Sequence, residues 1–402
     1  MPLRAAWAML LALVSGFGLS TAYRTVTAII ATGLKTEFEL SAQALGVFAG
    51  AFAFSFGTMQ LFMGIAIDLY GVRRTLLAVF PLAIAGALLS AFAPGYGALL
   101  LGQVLIGVGC APAFLVCTVF IARYFPPERF AMVSGVALGV GGMGMLFTGT
   151  PLAWVVQQWS WRAGFGVLAA LSALAWLLIF WKVREPAAPV AGSPAAAPRE
   201  SVWAAVRGFG ALFLVPHTAG ILLLALMTYA SFLTLRGLWL GPLLIERHGY
   251  SLVESGNVAM LASLVSLFTP ALFGRLDPGP RRRRWLVGFT LLLAALFAAI
   301  GLLHAEWLDV AGAIAVGLLS GYMVLQYADV RSSYPAAMTG RAMAVFTMAL
   351  FLGVALMQWV TGVAASVALA RSTDPYWAVM LTIAAMLALG ALAFRLLPAP
   401  PR

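Results

Sequence analysis

Stretches of about twenty apolar residues recur twelve times along the chain, at roughly 7–33, 42–67, 75–93, 96–121, 131–156, 163–181, 218–245, 252–273, 285–303, 310–328, 342–369 and 376–394. At about 1.5 Å of rise per residue, each can cross the roughly 30 Å hydrocarbon core of a bilayer as a helix. The runs do not alternate polar and apolar positions, which excludes an outer-membrane barrel. A helix, by contrast, closes its own backbone hydrogen bonds in lipid. The pattern therefore predicts an all-α polytopic membrane protein with twelve transmembrane helices. One stretch, 183–208, breaks it with REPAAPVAGSPAAAPRE. That segment reads as a flexible cytoplasmic linker between an N-terminal six-helix bundle, 1–182, and a C-terminal one, 209–402.

Composition supports the setting, with 63% hydrophobic and 9% charged residues over 402 positions, where a soluble domain carries about 25% charged. The net charge of +11 invites a nucleic-acid partner, and the placement of the charges excludes one. With the N-terminus inside, 18 of the 24 Lys and Arg residues fall at cytoplasmic ends and loops, and Lys35, Arg162, Arg247 and Arg371 fall outside. This bias puts both termini in the cytoplasm and makes the run Arg281 to Arg284 a topology anchor, with specific lipid-headgroup binding as the second reading; membrane lipid is the partner of the chain as a whole. An Ala- and Arg-rich, Lys-poor chain points to a bacterial inner membrane. The first run is long and lacks a clear small-residue cleavage site, so it reads as an uncleaved anchor. Cys110 and Cys117 sit about 10 Å apart on one helix, beyond disulfide reach. His217, His248 and His304 fall at helix ends or loops without metal-ligand spacing, and no metal or other cofactor is expected.

The remaining two basic residues, Arg24 and Arg236, lie inside apolar runs at matching places (236 − 24 = 212). The same register relates Arg129 to Arg341 (212), Asp68 to Asp277 (209) and Pro126 to Pro335 (209). Such a repeat indicates duplication, with the site at the interface of the halves. Each membrane arginine is followed by nine or ten uncharged residues, about 14 Å of helix, too far to snorkel. An arginine at that depth costs at least about 2.5–3.5 kcal/mol and belongs beside a protein-lined or wet cavity. Two of them suit an anion. Ser20 lies four residues before Arg24, and Thr27 and Trp239 lie three beyond the arginines, on the same helix faces. Tyr322 with Gln326, and Gln358, offer further polar groups, plain interhelical hydrogen bonding being the other reading of each. Asp329, two residues before Arg331, reads as an ion-paired gate residue, or else as a proton carrier.

The segment GIAIDLYGVRR between the second and third helices is similar to the pattern G-x-x-x-D-R-x-G-R-R of the major facilitator superfamily. Gly64, Asp68, Gly71, Arg73 and Arg74 match it, while Leu69 and Val72 depart from it. The resemblance implies two pseudo-symmetric six-helix bundles. It also implies that Gly64 admits a close helix approach and that Asp68 latches the cytoplasmic side, on a helix N-terminus or an arginine such as Arg129. FGRLDPGPRR, around Asp277, looks like a degraded second copy, and WSWRAGF is a weaker mark. Gln103 stands where many proton-coupled members carry an arginine, and the fifth helix lacks the Gly-Pro pair of drug antiporters. YRTVTAII and LRGLWLGPLL resemble the organophosphate and organic-anion branches, in which an arginine from each half clamps the substrate. The expectation is a monomeric secondary transporter of a small organic anion, with Arg129, Asp277, Asp329 and Arg341 among its gating residues. An enzyme is not expected, since no nucleophile motif, phosphate-cradling loop or facing carboxylates occur. A transport-fold anion sensor and an exporter of a hydrophobic compound remain as alternatives.

Overall fold

A computed structural model describes residues 3–184, 210 and 212–400; of the expected linker, only Val183 and Arg184 fall within them. Twelve helices are long and apolar enough to cross a membrane. They are α1 (Leu3–Tyr23), α2 (Ala42–Tyr70), α3 (Val72–Ala91), α4 (Tyr96–Tyr124), α5 (Met132–Gln158), α6 (Trp161–Lys182), α7 (Thr218–His248), α8 (Leu252–Arg275), α9 (Gly279–Leu303), α10 (Glu306–Ser333), α11 (Met338–Ala370) and α12 (Pro375–Leu396). The described residues contain no strand. This is an integral membrane protein of two six-helix bundles. Local chemistry sets several boundaries: Ser41, Ser160 and Asp374 accept hydrogen bonds from the first free N–H groups of α2, α6 and α12, and Ser251 forms a reciprocal capping box with Glu254 at α8.

Six helices are interrupted, α3 at Phe80, α5 at Thr148 and Gly149, and four more in corresponding pairs. α1 stops at Tyr23, turns through Arg24 to Val26 and resumes as Thr27–Phe38. Its counterpart α7 carries a π-helical segment, Leu235–Trp239, around Arg236. α4 breaks between Cys110 and Ala113, where Pro112 has no N–H to give, and α10 breaks at Gly321 and Tyr322. Interruptions in a helix free backbone groups and bend the axis, and in membrane carriers they gather where the halves meet.

The halves close on each other at one end, the end expected to lie outside. Among the described residues four hydrogen bonds cross between them: Arg236 to the Met145 carbonyl (2.9 Å), Thr150 to Asn257 (2.5 Å), Gln43 N–H to Ser366 (2.9 Å) and Lys35 to Glu246 (2.9 Å). All lie from mid-depth to the outer rim. The α2–α11 seam is tight because Gly46 lies directly against the Gln358 carbonyl, where a methyl group would not fit. Gly241 does the same for α7 against the Ala28 carbonyl.

At the inner end the ion pairs found among the described residues lie within one half or the other, and two expectations are corrected there. Asp68 faces Arg123 at 3.9 Å, not Arg129, and its side chain is 79% exposed. Gly64 marks no close approach: a Cβ there would meet its nearest neighbour, Leu115, at an ordinary 3.9 Å. At Gly71 a φ of 85° turns the chain from α2 into α3. Arg73 donates to the Phe180 carbonyl at 3.0 Å, tying α3 to α6, while Arg74 and Arg129 are exposed and Arg341 is half-buried. Asp277 is fastened: Arg282 grips both its oxygens at 2.9 and 2.6 Å, holding its carboxyl below the usual carboxylate range.

Candidate functional site

Arg24 sits at the turn where α1 breaks, half-buried between the two bundles. Its guanidinium carbon lies 4.8 Å from the ring centre of Phe56 on α2, 4.8 Å from that of Phe351 on α11 and 5.9 Å from that of Phe17 on α1. Phe56 and Phe351 belong to opposite halves and touch, with centroids 4.3 Å apart. The faces of these rings carry partial negative charge, which holds a cation loosely and without direction. Its one hydrogen bond among the described residues runs from Nη2 to the expected partner Ser20, at 3.3 Å, and the buried Nε has none. Among the described residues no carboxylate lies within ion-pairing distance of it. A charge-bearing fork with idle donors and no counter-ion is a ready receptor for a carboxylate or similar oxyanion.

Arg236 is differently placed, and it corrects the expectation of a symmetrical clamp. Its residue is 1% exposed. Its Nε donates to Ser263 (2.8 Å) and to the Ala259 carbonyl (2.9 Å), both on α8, and its Nη2 crosses to the Met145 carbonyl on α5. Nη1 alone is left without a partner. The π-helical segment adds one residue to a turn and swings this side chain away from the axis it would share with Arg24. In this conformation Arg236 pins three helices together and leaves Arg24 as the open cation.

The other expected ligands scatter. Thr27 is buried at the start of the resumed helix, beyond the break, so the three-residue spacing no longer puts it on the Arg24 face. Trp239 likewise leaves Arg236: its indole N–H donates to Thr361 at 2.9 Å, and its ring meets Tyr376 edge-on. The Tyr322 hydroxyl bonds Thr290 on α9 at 2.9 Å, turned away from the seam. Gln326 accepts from Thr228 on α7 at 3.2 Å and keeps a buried Nε2 unpaired. Gln358 stands at the α2–α11 seam with its Oε1 unpaired. Asp329 is ion-paired as expected, but with Arg283 at 3.7 Å and not with Arg331, which is exposed. A shallow apolar groove of about 240 Å³ between α1, α5 and α6, lined by Gly18, Phe147 and Leu171 among others, contains no charged group.

Two features were missed in the sequence. The aromatic surround of Arg24 left one trace, since Phe17 lies seven residues before Arg24 on the same face of α1. Phe56 and Phe351 come from helices whose pairing no local pattern fixes. The second is an outer cluster in which Asp309 accepts from Arg247 (3.0 Å) and His248 (2.7 Å), and Asp374 from Arg247 and His304. These basic groups read as solvated loop residues until tertiary structure gathers them.

The sequence matches the model of the Major Facilitator Superfamily over residues 8–358. The chain belongs to that family. It is 27% identical over 165 residues to the hexuronate transporter of Bacillus subtilis, the match covering 40% of this chain and 38% of that one. It is equally 27% identical over 164 residues to the D-galactonate transporter of Escherichia coli, with 40% and 38% covered. The matched segments thus span about two fifths of these relatives. Among solved structures, a bacterial homolog of the human lysosomal transporter Spinster, inward-facing and unoccupied, superposes with a TM-score of 0.77 at 19% identity, covering 98% of both chains. The D-xylose-proton symporter does so with 0.75 at 16%, again covering 98% of both.

Proposed function

We propose that this chain is a secondary transporter that carries a small organic anion across a bacterial inner membrane by alternating access, as a monomer with both termini in the cytoplasm. Arg24 is the primary anion ligand. The observation that carries this reading is a half-buried guanidinium between the bundles with idle donors, aromatic neighbours and no carboxylate. Such a charge is costly in a membrane unless a mobile anion completes it. The substrates for which the two relatives are named, hexuronate and D-galactonate, are themselves organic anions, which favours the same class here.

The conformation reads as inward-open, because every inter-half hydrogen bond described lies from mid-depth outward. An anion entering from the cytoplasm would engage Arg24. Reorientation would then break the Arg236–Met145 bond and the outer contacts while the inner ends came together. The exposed, loosely held Asp68 fits a cytoplasmic latch released in this state.

Arg24→Lys keeps the charge and loses the planar fork. In proteoliposomes it should reduce anion uptake at least tenfold while the purified protein keeps its thermal midpoint within a few degrees. Uptake at the wild-type rate in Arg24→Lys would remove Arg24 from the site.

A further inference from the structure

Resting on the anion-transport reading, we infer that the substrate is a monocarboxylate with an apolar body, such as an aryl or alkyl acid, and not a polyhydroxylated sugar acid or a dianion. The open donors come first. Arg236 has spent Nε and Nη2 on the Ala259, Ser263 and Met145 oxygens and keeps only Nη1, so of the two arginines Arg24 is the one that offers an open fork. One such fork grips one carboxylate. A second carboxylate would find no second open fork, only the single Nη1 of the enclosed Arg236, and would be desolvated with its oxygens mostly unpaired.

The surroundings of that cation are the second observation. Phe17, Phe56 and Phe351 all stand within 5.9 Å of its guanidinium carbon, and behind them Phe114 packs on Phe17 at 4.9 Å and Tyr229 on Phe351 at 5.6 Å. A carboxylate docked on Arg24 therefore extends the rest of its molecule along aromatic surface, which rewards an apolar body.

Several hydroxyls on the surrounding helices are already engaged. Thr21 donates to the Gly141 carbonyl, Ser55 to the Ala51 carbonyl and Thr228 to Gln326, while Thr25 is bonded to Thr148. A sugar acid brings four or more hydroxyls that each need a partner once desolvated, and a site that leaves them unpaired rejects the molecule strongly. On α4, α7 and α10 the buried donors left over are Nε2 of Gln103, the Thr234 hydroxyl, Nη1 of Arg236 and Nε2 of Gln326, spread over three helices and so enough for a few polar substituents but not for a chain of hydroxyls.

The test uses the purified full-length protein in liposomes preloaded with unlabelled compound, with counterflow of radiolabelled benzoate as the readout. Benzoate, phenylacetate and butyrate are compared with gluconate, glucuronate and succinate, and with neutral benzyl alcohol. Half-maximal counterflow is expected at concentrations at least tenfold lower for the apolar acids than for the sugar acids or succinate. Phe351→Tyr, which adds a hydroxyl to the aromatic wall, should narrow that ratio. If labelled gluconate or glucuronate exchanges as well as or better than benzoate, the apolar-body inference is wrong and the anion reading stands. If benzyl alcohol competes as well as benzoate, or no acid of any class exchanges, the anion reading itself fails.

Discussion

Arg24 and Arg236 are the same residue at equivalent places in a duplicated chain, and their surroundings have diverged. Arg236 lies on carbonyl and hydroxyl oxygens, fully enclosed and without a carboxylate. The acceptors it uses are dipoles, which offset only part of the cost of burying a charge. Arg236→Met should therefore leave the thermal midpoint unchanged or raise it, because the carbonyls keep their intrahelical donors when the guanidinium goes. Transport should still fall, since the link from α7 to α5 across the seam is lost. A drop of more than about 5 °C, measured by a thermal scan in one detergent, would show that the pin outweighs the burial cost. For scale, 1 kcal/mol corresponds to about 2–4 °C in a chain of 150–250 residues and less in a larger one.

Among the elements, α2 and α11 make the seam that seals the outer end, and its tightness rests on glycine. Gly46→Val would drive a side chain into the Gln358 carbonyl, so the outer end could not close in this way. Ala31, fully buried beside this seam, reports the change once it is made cysteine. Native Cys110 and Cys117 are buried and give little background. In the Gly46→Val background, labelling of Ala31→Cys by a membrane-impermeant thiol reagent should rise severalfold and transport should fall at least tenfold. Unchanged labelling would show that the seam tolerates the extra volume.

The elements were also what the sequence made most legible. Twelve apolar runs became twelve helices, and the 42–67 and 163–181 runs fall within Ala42–Tyr70 and Trp161–Lys182, because hydrophobic length is a local property read one window at a time. Apart from breaks such as that of α4, which Pro112 marks, the interruptions were hard to read. The run 7–33 carries no Pro or Gly at Arg24 to Val26, and Ser and Thr residues around Arg24 are compatible with a continuous helix, so Thr27 was expected on the arginine face although the helix breaks before it. The π-helical turn removed Trp239 from Arg236 in the same way. Partners across helices were equally illegible, as with Asp68 on Arg123 and Asp329 on Arg283. Each depends on which helices pack together and at what rotation, which tertiary packing decides.

For the whole molecule, the open cation between the bundles predicts the mode of transport. Without an anion, reorientation would enclose an uncompensated guanidinium in a low-dielectric seam; with one, it encloses a neutral pair. Liposomes preloaded with an exchangeable acid should therefore take up label at least tenfold faster than empty ones at equal pH on both sides. Equal rates would mean that the empty carrier returns freely and that Arg24 is neutralised by some other route. The two inner ends differ as well, for Asp277 is clasped bidentately and Asp68 is nearly free. Asp68 can thus let go of Arg123 at less cost than Asp277 of Arg282.

Phe56 and Phe351 meet directly on Arg24, one from each half. The joint along which the molecule must part therefore runs through the place where its cargo is gripped. A cargo slim enough to let the rings regain contact travels with the joint, whereas one with a thicker body acts as a wedge and stalls it. Bulky acids that bind through the same carboxylate should then be blockers of transport, and the girth of the acid, more than its affinity, should decide which of the two it becomes.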